Sequence, residues 1–380
     1  MAIGIENQFF FSFSLEGKED FIDEPDLESF TLIEEAGNVL PTYELNFNTT
    51  DSSILPLLNE GNDLNIQMGK SRAELKDVSL NTIKTSSEPG NQNETSFSIM
   101  GMLSALDYIT NSGISVSTKK SGIEVLEDII TPFFKPVFNV SKSRDKQNWI
   151  RHNISSKKFV NELWMHSDLL DSFPAIGITA DKKFILKDVK KDLDRNFANQ
   201  FDWKFTKNPL LPTDIGYDAK PRLKTETGFL NNWIGNGREL LDYCLEEGTA
   251  KEILEMADPI LALTQKLAKR SSLEKRFAGV GMQNENTHLK YWQSYYHNLV
   301  NLALLGSVTL ELTFQNRFVD INILDLVMFK DDNVEGEIGS NEFTSGLYYV
   351  SKVSRTVQAR QLTTRIQLVR ESLNQIQIKQ

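Results

Sequence analysis

One segment has oxygen-bearing side chains spaced almost as in a calcium-binding loop. Residues Asp331 to Glu342 nearly fit the pattern D-x-[DN]-x-[DN]-G-x5-E. The expected ligands and the turn glycine are Asp331, Asn333, Glu335, Glu342 and Gly336. Glu335 is longer than the Asp or Asn of that pattern, and the flanks read as strands rather than helices. A solvated acidic loop therefore accounts for the segment equally well, and we predict no metal ligand.

The histidines do not form a recognisable metal or catalytic pattern. The four are His152, His166, His288 and His297, and no two have the three- to five-residue spacing of ligands on one helix face. His166 lies among apolar residues, which favours a hydrogen-bonded structural histidine. No phosphate-binding, metalloprotease or nucleophile-elbow motif occurs, and carboxylates are too numerous for any pair to be informative. We predict no catalytic residue and no cofactor.

The single cysteine excludes an intrachain disulfide. Cys244 ends the run Leu240 to Cys244, which has helical character, and a buried inert thiol is the expected state. Two further clusters are predicted on helix faces rather than at nucleic acid. One is basic and the other aromatic: Lys266, Lys269, Arg270, Lys275 and Arg276, and Tyr291, Trp292, Tyr295 and Tyr296. We therefore expect no sequence-specific nucleic-acid binding.

Composition indicates a folded protein with an uneven charge distribution. The chain has 380 residues, 40% of them hydrophobic, which predicts about two to four domains. No apolar run is long enough for a membrane helix, and the N-terminus does not have the pattern of a signal peptide. The net charge is −11, yet residues 1–65 carry fourteen acids against one base, Lys18. This region is either a solvated acidic surface or an acidic wall that repels DNA.

The first half of the chain changes from strand to helical periodicity. Alternating apolar positions predict strands at 9–15, 42–47, 64–69 and 94–101. A helix is expected to end before Pro132, and Ser155 and Ser156 are candidate caps for a second helix. Residues 175–186 read as a β-hairpin. The expected units are a first tube-like β domain at 1–110 and a helix plus β-hairpin domain at 111–200.

The second half is expected to return to β structure after a helical stretch. Strands are predicted at 308–314, 321–329, 346–353 and 364–369, the last two as hairpin neighbours. Residues 237–305 read as a helical insertion, clearest at 259–277. Residues 201–236 and 306–380 then form a second tube-like β domain. The predicted fold class is multidomain α+β, with two tube-like antiparallel β-barrel domains.

The C-terminal strands resemble a known family. The segment Gly346 to Ser354, a short turn, and Thr363 to Arg370 resemble the closing strand pair of tail hub proteins. These are central baseplate proteins of contractile-tailed bacteriophages. The preceding Asp320 to Phe329 is similar to the strand before that pair, and the order of elements is similar over nearly the whole chain.

This resemblance implies a structural role without catalysis. Hub proteins assemble as homotrimers whose chains each contribute two tube-like domains, so that three chains adapt a sixfold tail tube to a threefold central spike. The implied partners are the tail tube protein, the spike protein and other baseplate proteins. The implied location is the tail baseplate of the virion, assembled in the bacterial cytoplasm, with part of the DNA ejection channel inside.

Two other functions remain open at this point. The chain also fits a hub or tip protein of a non-contractile tail or of a secretion-type injection machine. A tail-associated cell-wall hydrolase is less favoured, because no lytic module is recognisable.

Overall fold

The computed structural model describes most of the chain. The described residues are 3–5, 9–15, 18, 21–22, 25–58, 61–69, 75–90, 94–140, 143–169, 172–194, 201–207, 209, 214–217, 221–225, 236–244, 249–255, 273–281, 288, 291–331, 344–358 and 361–370.

The first hundred residues form the predicted β region. Its strands are β1 (Ile3–Ile5), β2 (Phe9–Leu15), β3 (Leu27–Glu35), β4 (Thr42–Thr49), β5 (Asp63–Gly69), β6 (Lys76–Pro89) and β7 (Thr95–Leu103), with a 3-10 helix at Ser52–Leu58. They are ordered β1-β2-β5-β6-β7-β4-β3, and every neighbouring pair is antiparallel. Alternate side chains of β3, β4 and β5 are buried, as the sequence periodicity predicts.

A helix and hairpin unit follows. Its elements are α1 (Leu106–Thr110), β8 (Ser112–Lys120), α2 (Gly122–Ile130), β9 (Lys135–Asn139), β10 (Gln147–Ser155), α3 (Ser156–His166), β11 (Pro174–Ile178), β12 (Lys183–Asp188) and α4 (Val189–Asp194). The predicted hairpin is the antiparallel pair β11–β12. Ser121 and Glu124 form a capping box at the start of α2, which ends at Ile130 before Pro132, and Ser155 caps α3.

The C-terminal β region contains the predicted closing hairpin. Its strands are β13 (Trp203–Thr206), β14 (Asp214–Gly216), β15 (Arg222–Thr225), β19 (Val308–Gln315), β20 (Leu326–Phe329), β21 (Gly346–Gln358) and β22 (Gln361–Arg370). Strands β21 and β22 are antiparallel neighbours. The strand predicted at 321–329 begins only at Leu326. A turn precedes it, in which the Asn322 amide donates to Asp325 and Leu324 has a φ of 63°.

The helical insertion predicted at 237–305 is wrong for most of the residues that the structure describes there. A three-stranded sheet contains β16 (Asn236–Cys244), β17 (Thr249–Glu255) and β18 (Leu273–Gly281), and only α5 (Tyr291–Leu305) is helical. The run ending at Cys244 is therefore a strand, and Lys275 and Arg276 lie on β18. Short apolar runs fit strand and helix periods alike, and here pairing with neighbouring strands overrides helix propensity. Residues 256–272 lie outside the described residues.

The two β regions are one continuous sheet. Strand β21 pairs with β3 along one edge and with β22 along the other, and its first residues pair with β20. The sheet has 14 strands and is mixed, because β13 runs parallel to both β14 and β20. Among the described strands the path does not close into a barrel. The expected pair of barrels is therefore corrected to a mostly β fold with short helices and mixed sheets.

Burial divides the apolar side chains into three clusters. The largest joins the first β region to helices α2 and α3, the second fills the C-terminal region, and a smaller one lies between β11, β12 and α5. None of the helices built from the described residues combines the length and apolar character that crossing a bilayer requires.

The close approach of β7 to its neighbours requires a glycine at position 101. A Cβ atom there would overlap the carbonyl oxygen of Asn81 and the ring of Tyr43. Gly101→Ala is expected to lower the free energy of unfolding by about 1–3 kcal/mol, because the crowded core must shift. Gly216→Ala in β14 is the matched control, since its added Cβ meets Pro209 at an ordinary 3.4 Å. Equal urea midpoints for the two variants would contradict the close packing.

Candidate functional site

The continuous sheet has one apolar face and one polar face. Strands β3, β4, β21 and β22 bury alternate residues, and the intervening side chains point to the opposite side. One row crosses six strands in register. It contains Met100, Glu44, Thr31, Thr356, Thr363 and Gln315. We call this side of β6, β7, β4, β3, β21, β22 and β19 the polar face.

Short hydrogen-bonded side chains dominate the polar face. Thr31 donates to Thr356 at 3.2 Å across the β3–β21 boundary, and Asn46 donates to Ser29 at 2.9 Å. The amide of Asn48 donates to Glu28 at 2.9 Å. Because these groups satisfy one another along the ladder, short polar side chains cover much of the face.

Charges on the polar face are mixed. The carboxylates are those of Glu28, Glu35, Glu44, Asp77, Glu88 and Glu311, and the cations facing the same side are Lys84, Lys352 and Arg365, with Arg222 and Lys224 on the adjoining β15. Lys352 is paired with Glu35 at 3.4 Å. A duplex-binding surface has a cluster of cations that neutralise phosphates, whereas carboxylates and cations are interspersed on this face.

The two β regions meet where β3 pairs with β21, and we call this boundary the seam. A buried ion pair lies beneath it. Glu34 of β3 and Arg355 of β21 are 5% and 6% exposed, and an Arg355 Nη1 to Glu34 Oε2 bond of 2.6 Å joins them. The other carboxylate oxygen, Oε1, accepts a hydrogen bond from the backbone amide of Ala180 at 2.8 Å. The pair therefore ties the first β region, the hairpin β11–β12 and the C-terminal region together.

The guanidinium of Arg355 has further partners. Its Nη2 donates to the carbonyl oxygens of Val319 and Ile321 at 3.2 and 3.0 Å, and its Cζ lies 5.3 Å from the ring centroid of Phe318. A small cavity of about 30 Å³ adjoins the pair. At its rim, Lys76 binds Asp320 at 2.7 Å, a second ionic link between the two β regions.

Two of the histidines meet in a buried aromatic cluster between α3 and α5. His166 is 6% exposed and stacks on Tyr291, with ring centroids 3.6 Å apart. Its Nδ1 is 2.9 Å from the carbonyl oxygen of Tyr291, while Nε2 of His288 is 3.1 Å from the carbonyl oxygen of His166. The Tyr291 hydroxyl donates to Glu162. The contacts described here hold α5, and His288 shortly before it, against α3, which fits the predicted structural histidine. Tyr291 and Tyr295 of the predicted packing face stack on His166, and the side chains of Trp292 and Tyr296 lie outside the described part of the chain.

Burial shifts the protonation equilibria of this cluster. It lowers the pKa of His166 to about 4, and it also lowers the pKa of His288. Burial raises the pKa of Glu162 and that of Asp145, which lies near His288. Both rings are therefore neutral in the folded protein near neutral pH.

The other residues singled out in the sequence are dispersed. His152 is exposed on β10, and His297 of α5 contacts the carbonyl oxygen of Ser172. Asp331 accepts a hydrogen bond from Thr344, and the rest of the predicted calcium loop lies outside the described residues. Within the part of the chain that the structure describes, no group of three or more His, Cys, Asp or Glu side chains is placed to hold a metal ion.

The buried ion pair was not predicted from the sequence, although a signal for it exists. In β3 the buried positions are Phe30, Leu32 and Glu34, and in β21 they include Val353, Arg355 and Val357. Each charge thus occupies a position whose periodicity predicts an apolar side chain. Two opposite charges at core positions of two strands indicate that the strands are neighbours.

The buried pair is expected to contribute far more to stability than the exposed pair beside it. Arg355→Met leaves the carboxylate of Glu34 buried without its cation, so the free energy of unfolding should fall by about 3–5 kcal/mol. Lys352→Met removes the exposed pair with Glu35 and should cost less than about 1 kcal/mol. Urea unfolding of both variants measures the difference. Similar losses would show that the Glu34–Arg355 pair does not hold the seam together.

The histidine cluster predicts a loss of stability in acid. An unfolded histidine has a pKa near 6.5, while the folded pKa of His166 is about 4, so the unfolded state binds the proton first as pH falls. Between pH 7 and pH 5 this ring should cost about 2 kcal/mol of stability. Between pH 7 and pH 5 the free energy of unfolding of the His166→Gln variant should therefore fall by about 2 kcal/mol less than that of the unmodified chain. Identical pH dependence in the variant and in the unmodified chain would contradict the assignment.

Comparisons with known proteins bear on the fold. No protein-family model and no curated protein matches the sequence. A tail protein from Neisseria meningitidis matches with a TM-score of 0.59 at 10% identity, covering 96% of this chain and 97% of that one. The 43 kDa tail protein of prophage MuSo2 from Shewanella oneidensis matches with a TM-score of 0.55 at 8% identity, covering 95% of this chain and 96% of that one.

A third solved structure extends the similarity beyond phage tails. A chain of the Francisella PdpA–VgrG complex matches with a TM-score of 0.51 at 13% identity, covering 98% of this chain and 60% of that one. The resemblance inferred from the C-terminal strands is therefore confirmed at the level of the fold: over nearly its whole length, this chain is similar in structure to phage tail proteins.

Proposed function

We propose that the chain is the structural hub of a phage baseplate, a homotrimeric adaptor between a sixfold tail tube and a threefold central spike. The observation that carries this proposal is the β3–β21 pairing, which aligns two β regions of one chain in a single sheet with a shared polar face. Three such chains present six β regions around one axis, which matches the symmetry of the tube while keeping threefold symmetry. The fold similarity to two tail proteins supports the same assignment.

In this proposal the units keep the predicted bounds. Residues 1–110 form the first tube-like unit, and residues 201–236 with 306–380 form the second. The unit at 111–200 and the segment at 237–305 lie outside the ring. The tail tube protein, the spike protein and other baseplate proteins are the proposed partners, and the proposed location is the tail baseplate of the virion, after assembly in the bacterial cytoplasm.

The polar face is proposed to line the channel for DNA ejection. Its hydrogen-bonded Ser, Thr and Asn side chains present polar groups to water, and the acidic first β region, with a net charge of −14 over residues 1–110, repels phosphates at short range. DNA in transit must not stick, so a lining of this kind serves the role without a catalytic or binding group. We accordingly propose a structural role rather than an enzymatic one.

A second candidate is the corresponding hub of a secretion-type injection machine. The specific observation in its favour is the structural similarity to a chain of the PdpA–VgrG complex. The present chain covers 60% of the length of that chain. In both candidates the chain is a structural adaptor. They differ in the machine that contains it.

The purified chain is expected to be a trimer of three times its mass of 43.2 kDa in light scattering coupled to size exclusion. Electron micrographs of the same peak should show a threefold ring with a central opening. A stable monomer at micromolar concentration, or a ring without an opening, would contradict the adaptor role. Cleared zones on cell-wall zymograms that disappear when one carboxylate is changed would instead favour a hydrolase.

A further inference from the structure

Strand β8 is unusually exposed for a strand of this fold. Seven of its nine residues are exposed, and Ile114 and Val116 have exposed fractions of 76% and 59%. The strand pairs with β10 along one edge, and no other described strand lies along its second edge. Exposed β-branched side chains on an open strand edge promote association, so a surface of this kind calls for a covering partner.

The β8–β10 ribbon is held rigidly from behind. Trp149 of β10 is buried on the inner side, and its indole donates to the carbonyl oxygen of Lys120 at 3.1 Å. Arg151 donates to the carbonyl oxygens of Ile154 and Asn111, both at 2.7 Å. These contacts fix the ribbon before any partner arrives, which lowers the entropic cost of docking.

The outward side of the ribbon is an apolar patch with a polar edge. In the β8–β10 register, Ile114 lies opposite His152, and Val116 lies opposite the half-buried Ile150. Lys119 continues along the same strand and is exposed. We call the side that bears Ile114, Val116, Ile150 and His152 the ribbon face.

The charge of the chain indicates the chemistry of the partner. Residues 111–200, which contain the ribbon, have fifteen Lys or Arg against eleven Asp or Glu, a net charge of +4. Residues 1–110 have five Lys or Arg against nineteen Asp or Glu, a net charge of −14. The surface most complementary to the ribbon unit is thus the first β region of the same sequence.

Within one chain the two units pack together through α2 and α3, but the ribbon face takes no part in that contact. Strand β8 has β10 as its strand partner, and the ribbon packs on α2 and α3. The first β region meanwhile exposes apolar side chains that are not part of the polar face, at Val39 and Leu55, with exposed fractions of 42% and 52%. Complementary surfaces that are apart in one copy can be satisfied between two copies.

We propose that the ribbon face docks on the acidic first β region, residues 1–110, of a second copy of this chain. The apolar patch then covers exposed apolar side chains of the neighbour, while the opposite net charges of the two regions orient the encounter. The contact is head-to-tail, and with a rotation of one third of a turn between copies three of them close a ring. This inference rests on the homotrimer proposed above and assigns its subunits a contact outside the shared sheet.

The test uses the full chain with two charge-inserting variants. Ile114→Glu combined with Val116→Glu removes the apolar contact and adds charges that the acidic partner surface repels, so it should raise the concentration at which the trimer dissociates by at least about tenfold, the scale expected for removing a central apolar contact. Val137→Glu is the matched control, because Val137 is also β-branched, 41% exposed and in the same unit, on β9. It should leave the dissociation concentration unchanged. Circular dichroism of both variants checks that they are folded.

Crosslinking then identifies which surface of the second copy the ribbon face contacts. Chains with a photoreactive residue in place of Thr118, next to the patch, are prepared in isotopically light and heavy forms and mixed. Crosslinks between copies that join Thr118 to residues 1–110 are the expected result. Crosslinks between two ribbons, or an unchanged trimer in the double variant, would overturn this contact while leaving the proposed hub intact. A chain that is monomeric in every form would instead refute the hub itself and this contact with it.

Discussion

The structure depends on the pairing of β21 with β3. Strand β21 is 13 residues long and pairs with β3 of the first β region and with β20 and β22 of the C-terminal one. A shift of this pairing by one residue would turn the apolar side of β21 toward solvent. It would also carry Arg355 to the solvent side and leave the carboxylate of Glu34 buried without its cation, so the ion pair helps to select the native register.

This seam has consequences on both sides of the sheet. Beneath it, Glu34 also binds the amide of Ala180, so the hairpin cannot move without disturbing a buried carboxylate. Above it, the Thr31–Thr356 contact continues the polar face from one β region to the other without a break. The same few residues therefore set the relative position of three units and the continuity of the surface that we propose to line a channel. A structural adaptor needs both properties, because its geometry is its function.

Strands with one buried face were predictable from sequence, and so were the hairpin pairs β11–β12 and β21–β22, whereas partners distant in sequence were not. The alternation in β2, β4 and β19 follows from burial of one side and is visible in any window of the chain. The helical prediction at 237–305 failed because runs such as the one ending at Cys244 lack a distinct period, so only long-range pairing decides their structure. The β3–β21 pairing joins residues more than 300 positions apart. Charges at core positions of both strands were the available sequence signal, and they indicate neighbours only when considered together.

The uneven charge of the chain gains a physical meaning from the fold. A uniform charge of −11 would merely keep the protein in solution, whereas the observed distribution places −14 on the first 110 residues and +4 on the next 90. In the ring that we propose, the acidic first β regions of neighbouring copies would repel one another, and a basic surface close by would offset that repulsion. The unit at 111–200, with its net charge of +4, would supply such a surface in every copy. The proposed acidic channel and the proposed ring are compatible in one sequence because the compensating charge lies on a separate unit, away from the polar face.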